Sequence, residues 1–201
     1  MTEAVSINVG DRPHQATQHL MAGEYSQAAA IYEQLIELAP EIKDYYWQMG
    51  LALLLQGQET EAQTTWMLAM VDGDADQVTQ WTSDLAAVLC RAAEQQAALA
   101  DGSTAWMIRQ HLREVAPDDL GNLLHLVQAE VELGTFVADS LTEWGIIPLV
   151  SAAATQARID WDLLLHSLKA VLKAAPLEPV ILEFATACLH HNPNPLPFVY
   201  T

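Results

Sequence analysis

The sequence predicts an all-α protein built from antiparallel helix pairs, and three observations support this fold class. Apolar residues make up 51% of the 201 residues, which argues against intrinsic disorder. Long stretches rich in Ala, Leu, Gln and Glu favour helix, and only 9 glycines interrupt them. Similar residues also recur at a fixed separation of 34 positions, which is typical of a helical repeat.

The repeated positions carry residue types that suit a pair of packed helices. The pairs separated by 34 positions are Gly23 and Gly57, Ala28 and Ala62, Tyr32 and Trp66, and Leu35 and Ala69. Glycine tolerates the positive φ of a helix C-terminus, alanine allows two helices to approach closely, and the aromatic residues fill the space between pairs. Gly50 is a further small position in the first helix of its pair, and Ala16 is its equivalent in the preceding unit.

Three Ala-Pro dipeptides predict helix ends, because proline cannot continue a helix and disfavours the α conformation of the residue before it. They are Ala39-Pro40, Ala116-Pro117 and Ala175-Pro176, and their spacings of 77 and 59 are not multiples of 34. The array therefore becomes irregular after the second unit. The predicted helices span about 12–22, 25–38, 42–56, 59–71, 77–99, 103–115, 119–133, 139–153, 157–174 and 178–191.

These patterns divide the chain into four parts. We expect an N-terminal tail over 1–11, two regular repeat units over 12–74, irregular helical repeats over 75–191, and a proline-rich linker over 192–201.

The first two units resemble the tetratricopeptide repeat. The segment from Gly23 through Ala28, Tyr32 and Leu35 to Pro40 follows the spacing of that family, with Leu35 in place of a small residue. The second unit has Tyr46, Gly50, Gly57, Ala62, Trp66 and Ala69 at the matching positions, and Asp74 replaces its closing proline. The resemblance implies a right-handed superhelix that serves as a protein–protein interaction scaffold.

A second resemblance concerns larger proteins. The segments 45–66 and 108–117 look like the N-terminal region of cyanobacterial SPINDLY-type O-linked N-acetylglucosamine transferases, or of FkbM-type methyltransferases with the same kind of region. This resemblance implies that the chain recruits a substrate or partner for a larger glycosyltransferase, or alternatively for a methyltransferase. No catalytic residue of either family can be placed on this sequence.

The charge balance limits the kinds of partner. The chain has 8 basic and 26 acidic residues, for a net charge of −18, so no basic face can be assembled to bind nucleic acid or an anionic membrane. The acidity fits a basic partner, or solubility alone. Cys90 and Cys188 lie 98 positions apart in apolar helical context and predict buried thiols. Because the N-terminus has no features of a signal peptide, we expect a cytoplasmic protein.

No pattern predicts a catalytic, cofactor or metal site. The acidic loop 72–76 alternates carboxylates, but Gln77 and Ser83 stand where a calcium loop needs glycine and glutamate, so a solvated loop is the better interpretation. His190 and His191 are adjacent and cannot share a helix face, and the pair of His111 and Glu114 is common by chance. We therefore expect no enzyme in this chain. An enzyme would need a pocket between the helices after residue 76.

The candidate partner-binding residues are Asp44, Trp47, Leu51 and Leu54. The family register places Trp47 at the concave groove, with Leu51 and Leu54 following at helical spacing and Asp44 about one turn earlier. Such a stripe suits docking of a helix or an extended peptide, or it is covered by another part of the chain. The other tryptophans are interpreted as core or inter-repeat packing: Trp66, Trp81, Trp106, Trp144 and Trp161. A homodimer formed through exposed apolar ends is an alternative function.

Overall fold

A computed structural model describes residues 11–155 and 159–191, and the regular secondary structure in these ranges is entirely helical, as predicted. The helices are α1 Arg12–Met21, α2 Tyr25–Leu38, α3 Lys43–Leu55, α4 Glu59–Met70, α5 Ala75–Ala98, α6 Gly102–Val115, α7 Leu120–Leu133, α8 Ser140–Glu143, α9 Ile146–Thr155, α10 Trp161–Ala174 and α11 Pro179–His191. The chain forms two compact units, of which the first extends to Gln95 and the second begins at Gln96. The predicted tail and linker fall almost wholly outside the described residues.

Unit 1 is built by packing of consecutive helices, with α1 against α2, α2 against α3, and α3 against α4. Ala16, Ala28 and Tyr32 are buried in one apolar cluster of this unit. Gly23 and Gly57 adopt φ values of +78° and +77° in the two turns that join the helices of each pair. A side chain is strained in this left-handed region, so the backbone itself requires glycine at both turns.

The small residue Gly50 allows α4 to pack closely on α3. A Cβ atom at Gly50 would lie 2.1 Å from Nε1 of Trp66, a distance that no real packing permits. The same Nε1 donates a hydrogen bond to the backbone oxygen of Trp47 at 3.3 Å. Ala62, one turn before Trp66, is completely buried. The indole of Trp66 therefore fixes the position of the two helices relative to each other.

The three Ala-Pro dipeptides end three helices with the same backbone geometry. Ala39, Ala116 and Ala175 have φ values of −146°, −134° and −144° and ψ values of 70°, 74° and 65°. The next helices begin three residues after each proline, at Lys43, Leu120 and Pro179. The same type of connection between helices therefore occurs once in unit 1 and twice in unit 2.

Unit 2 is held together mainly by α7 and α10, by α9 and α11, and by α6 and α7. Its core contains Leu123, Leu124, Val127, Leu141, Ile146, Val150, Leu164, Leu168, Val171, Ile181, Phe184 and Cys188. A hydrogen bond of 2.8 Å from Nε2 of Gln128 to Oγ of Ser167 joins α7 to α10. Burial raises the pKa of the Cys188 thiol to about 12.

Two predicted helices differ from the structure. The helix expected over 139–153 is divided into α8 and α9, because Gly145 adopts a φ of +67° between them. The helix expected from 157 begins at Trp161, where the carboxylate of Asp160 accepts a hydrogen bond from the backbone N–H of Leu163. An aspartate cap of this kind satisfies a backbone donor that the first turn leaves without a partner. In the described part of the chain, no helix is long and apolar enough to cross a membrane.

Candidate functional site

A pocket of about 440 Å³ lies in unit 1, between the start of α3 and the middle of α5. Its lining residues are Glu41, Lys43, Asp44, Trp47, Trp81, Asp84, Ala87, Val88 and Arg91. On α5, the lining positions 81, 84, 88 and 91 follow the three- and four-residue spacing of one helix face. The pocket therefore has one wall from each helix.

Two tryptophans form the aromatic part of this pocket. Trp47 is 2% exposed, and Trp81 is half-buried. Gly73 provides the space for Trp81, since a Cβ atom there would lie 2.3 Å from Cζ3 of the indole. Packing thus fixes both indoles in place before any ligand arrives.

The cation nearest to the aromatic wall is Lys43. Its ammonium nitrogen lies 4.8 Å from the centroid of the Trp81 ring and 5.5 Å from the centroid of the Tyr46 ring. Both distances fall in the range of a cation–π interaction. Lys43 therefore occupies the face of the Trp81 ring.

Three exposed carboxylates border the same pocket: Glu41, Asp44 and Asp84. Gln48 donates a hydrogen bond to Oδ1 of Asp44 at 3.3 Å, and Gln80 donates to Oδ1 of Asp84 at 2.9 Å. Within the described ranges, none of the three carboxylates has a basic nitrogen within 4.0 Å. Their negative charge is therefore available to a ligand.

The four groove residues named from the sequence have different positions in the structure. Asp44 lies at the rim of the pocket, and Trp47 lines it. Leu51 and Leu54 are 4% and 1% exposed, so the chain itself covers this part of the stripe. Trp47 is just as deeply buried, at 2% exposed, so Asp44 is the exposed member of the four and Trp47 contributes only to the wall of the pocket.

The groove residues predicted from the sequence do not include the α5 side of the pocket, which is formed by Trp81, Asp84, Ala87 and Arg91. The sequence predicts a packing role for Trp81, although Trp81 lies 34 positions after Trp47, the same offset as in the other repeated pairs. The repeat period, applied to Trp47, identifies Trp81 as the equivalent position. Asp84 has Gly50 as its equivalent, so the period gives no information about that carboxylate.

Two of the features considered for metal binding are the acidic loop 72–76 and the pair of His111 and Glu114. Asp74 accepts a hydrogen bond from the N–H of Gln77 at 2.9 Å, and the Gln77 side chain accepts one from the N–H of Asp74 at 3.0 Å. This reciprocal capping box starts α5. His111 is buried with Nδ1 3.6 Å from a carboxylate oxygen of Glu114. The described residues contain no group of three or more potential metal ligands.

Unit 2 has a pocket of about 350 Å³ beside Trp144. The guanidinium carbon of Arg113 lies 4.7 Å from the centroid of the Trp144 ring, a cation–π contact. Asp118 and Glu143 also line this pocket, and its described lining contains no serine, cysteine or histidine. Burial raises the pKa of nearby Glu130, while the charge of Arg113 acts in the opposite direction.

Comparison of the sequence with models of protein families and with curated proteins found no match.

Proposed function

We propose that the chain is a non-catalytic protein–protein interaction scaffold of tetratricopeptide-like helix pairs, and that a segment of a partner protein docks in the pocket of unit 1. The observation that carries this proposal is the pair of pocket tryptophans, Trp47 and Trp81, separated by one repeat period of 34 residues. Tryptophans held in a partly covered pocket are typical of the residues that contribute most to binding between proteins.

The repeat positions support the tetratricopeptide-like assignment of unit 1. The turn glycines Gly23 and Gly57 have nearly equal φ values, and the helix-packing alanines Ala28 and Ala62 are both completely buried. The period extends into α5, since buried Leu85 is equivalent to buried Leu51. These equivalences support a third repeat helix on the far side of the pocket.

The resemblance of segments 45–66 and 108–117 supports a more specific role in a larger protein. The scaffold would bring a protein substrate to a glycosyltransferase domain, or to a methyltransferase domain in the alternative arrangement. The coding sequence of the complete gene tests this part, because a transferase domain in the same reading frame is the expected finding. A complete gene without such a domain would contradict it.

The docking site can be tested by selecting random displayed peptides on the protein. Ala87 is exposed and lines the pocket, so Ala87→Trp fills the pocket without disturbing the core. Thr79→Trp is the matched control, because Thr79 is exposed on the same helix and does not line the pocket. We expect peptides selected on the wild-type chain to bind Thr79→Trp normally and Ala87→Trp weakly. Equal binding to both variants would refute docking at this pocket.

Self-association is a second candidate function, favoured by an exposed apolar patch at the C-terminal end of α4. Met67, Leu68 and Val71 are 70%, 63% and 71% exposed. The residues 34 positions earlier are polar: Glu33, Gln34 and Glu37. An uncharged face of this kind lets two acidic chains approach each other. Sedimentation should then show a dimer that Leu68→Glu dissociates, and a wild-type monomer at every concentration would reject this function.

A further inference from the structure

We propose that the pocket of unit 1 recognises a lysine or arginine side chain of the partner, and that Lys43 is an internal competitor that the partner cation displaces from Trp81. This inference rests on the proposed docking function and names the chemical class of its ligand. The geometry that carries it is the position of the Lys43 ammonium 4.8 Å from the centroid of the Trp81 ring, inside a pocket bordered by three carboxylates.

The position of Lys43 shows that the aromatic rings at the pocket can accommodate an alkylammonium group. The ring centroids of Trp81, which lines the pocket, and of Tyr46, which is not among the lining residues, lie 4.8 and 5.5 Å from the Lys43 nitrogen. These two rings form the cage around this cation. Tryptophan gives the strongest cation–π attraction of the aromatic side chains. A second lysine or an arginine from a partner can make the same contact once Lys43 swings away.

The side chain of Lys43 can leave the cage at low cost. It is only partly buried, and in the described ranges no carboxylate oxygen lies within 4.0 Å of its nitrogen. The flexible four-carbon stem of lysine allows its ammonium group to move into water. The contact with Trp81 is therefore the main described interaction that an incoming cation has to replace.

The charge around the pocket favours a basic ligand over an acidic one. Glu41, Asp44 and Asp84 outnumber Lys43 and Arg91 among the lining residues. Within residues 11–95 there are thirteen carboxylates and only three basic side chains. This field attracts a cationic segment from a distance and brings it to the carboxylates at the rim. When Lys43 leaves the cage, the negative charge near Trp81 increases further.

The test compares Lys43→Met with Arg91→Met. Each variant removes one positive charge from the same pocket, but only Lys43 lies on Trp81. The probe is a fluorescently labelled peptide with lysine at alternate positions, and its binding is measured by fluorescence anisotropy. Matched peptides carry norleucine or glutamate in place of each lysine.

We expect Lys43→Met to bind the lysine peptide about two- to fivefold more tightly than Arg91→Met does, because a competing cation–π contact has been removed. Asp84→Asn should weaken binding by up to about fivefold, since it neutralises a carboxylate at the rim. The norleucine peptide should bind none of the variants detectably. Added salt should weaken binding of the lysine peptide to all of them.

Two results would overturn the inference. Equal gains in Lys43→Met and Arg91→Met would show that only the overall charge matters and that Lys43 does not compete for the cage. Preferential binding of the glutamate peptide, lost in both variants, would show that the pocket recognises an anion. In either case, docking at the pocket would still be supported if the selected peptides bind the wild-type chain and bind Ala87→Trp only weakly. Failure of this inference is therefore distinguishable from failure of the proposed function.

Discussion

Gly50→Ala perturbs the close packing of α4 on α3, the helix that carries Trp47. The added Cβ atom would lie 2.1 Å from Nε1 of Trp66 and 2.6 Å from Cδ1 and Cε2 of the same ring. Because Trp66 is 4% exposed, the indole has little room to move. Overpacking of this kind costs about 1–3 kcal/mol. Displacement of the indole also strains its hydrogen bond to Trp47, worth about 1 kcal/mol.

One effect acts in the opposite direction, because replacing glycine by alanine inside a helix gains about 1 kcal/mol. The net expectation is a loss of about 1–3 kcal/mol in the free energy of unfolding. Urea denaturation followed by circular dichroism measures this loss. Gly121→Ala is the control, since a Cβ atom there meets its nearest neighbour at 3.4 Å and should not destabilise the chain.

A double-mutant cycle identifies the origin of the loss. Trp66→Phe removes the ring nitrogen that the added Cβ atom meets, so Gly50→Ala should cost much less in that background. The reasoning would be refuted if Gly50→Ala left the wild-type protein unchanged or more stable. It would also be refuted if the loss were the same with tryptophan and with phenylalanine at position 66.

Three further predictions concern other parts of the chain. Gly23→Ala should cost about 1–2 kcal/mol, because φ at this turn is +78°; denaturation of unit 1 measures the cost, and a gain in stability would contradict it. The free energy of unfolding should fall between pH 9 and 12, because folding raises the pKa of Cys188 from 9.0 to about 12 and the unfolded thiol loses its proton first. Cys188→Ala should remove this part of the pH dependence, and an unchanged pH profile would contradict the assignment. Glu130→Gln should stabilise the protein at neutral pH, since burial raises the pKa of Glu130 and its Oε2 lacks a hydrogen-bond partner in the described ranges. Equal effects of Glu130→Gln and of Glu132→Gln, at an exposed position, would contradict this reasoning.

Local signals in the sequence were sufficient to predict most helix ends. Ala39-Pro40 predicts the end of α2 because proline removes a donor and restricts the residue before it, and these are local effects. The positive φ of Gly57 follows in the same way from its place between two amphipathic segments. Such positions are predictable because the backbone alone decides them.

The break between α8 and α9 depends on tertiary packing. Leu141 and Val150 are both completely buried in the core of unit 2. In one continuous helix, residues nine positions apart lie on opposite sides, because each residue advances the helix by about 100°. The turn at Gly145 allows both residues to reach one core. A single glycine in an apolar segment does not by itself predict a turn, so the break at Gly145 could not be inferred from the sequence.

The pocket was predictable only on one side. Trp47 and Asp44 follow from the repeat register, which is a local property of α3. Asp84 and Ala87 line the pocket because the fold brings α5 opposite the start of α3, an arrangement of residues that are distant in sequence. Leu51 and Leu54 were expected in the groove and are buried, as Trp47 is, because packing within the chain covers the apolar stripe.

The central claim is that a partner segment docks in the pocket of unit 1. Its most direct test is the ¹H–¹⁵N spectrum of the indole N–H groups of the six tryptophans, recorded while a peptide selected on the wild-type chain is added. We predict that the resonances of Trp47 and Trp81 shift first and saturate together, while those of Trp106, Trp144 and Trp161 stay in place. Shifts confined to the tryptophans of unit 2, or no shift at Trp81 when the peptide is fully bound, would contradict the account.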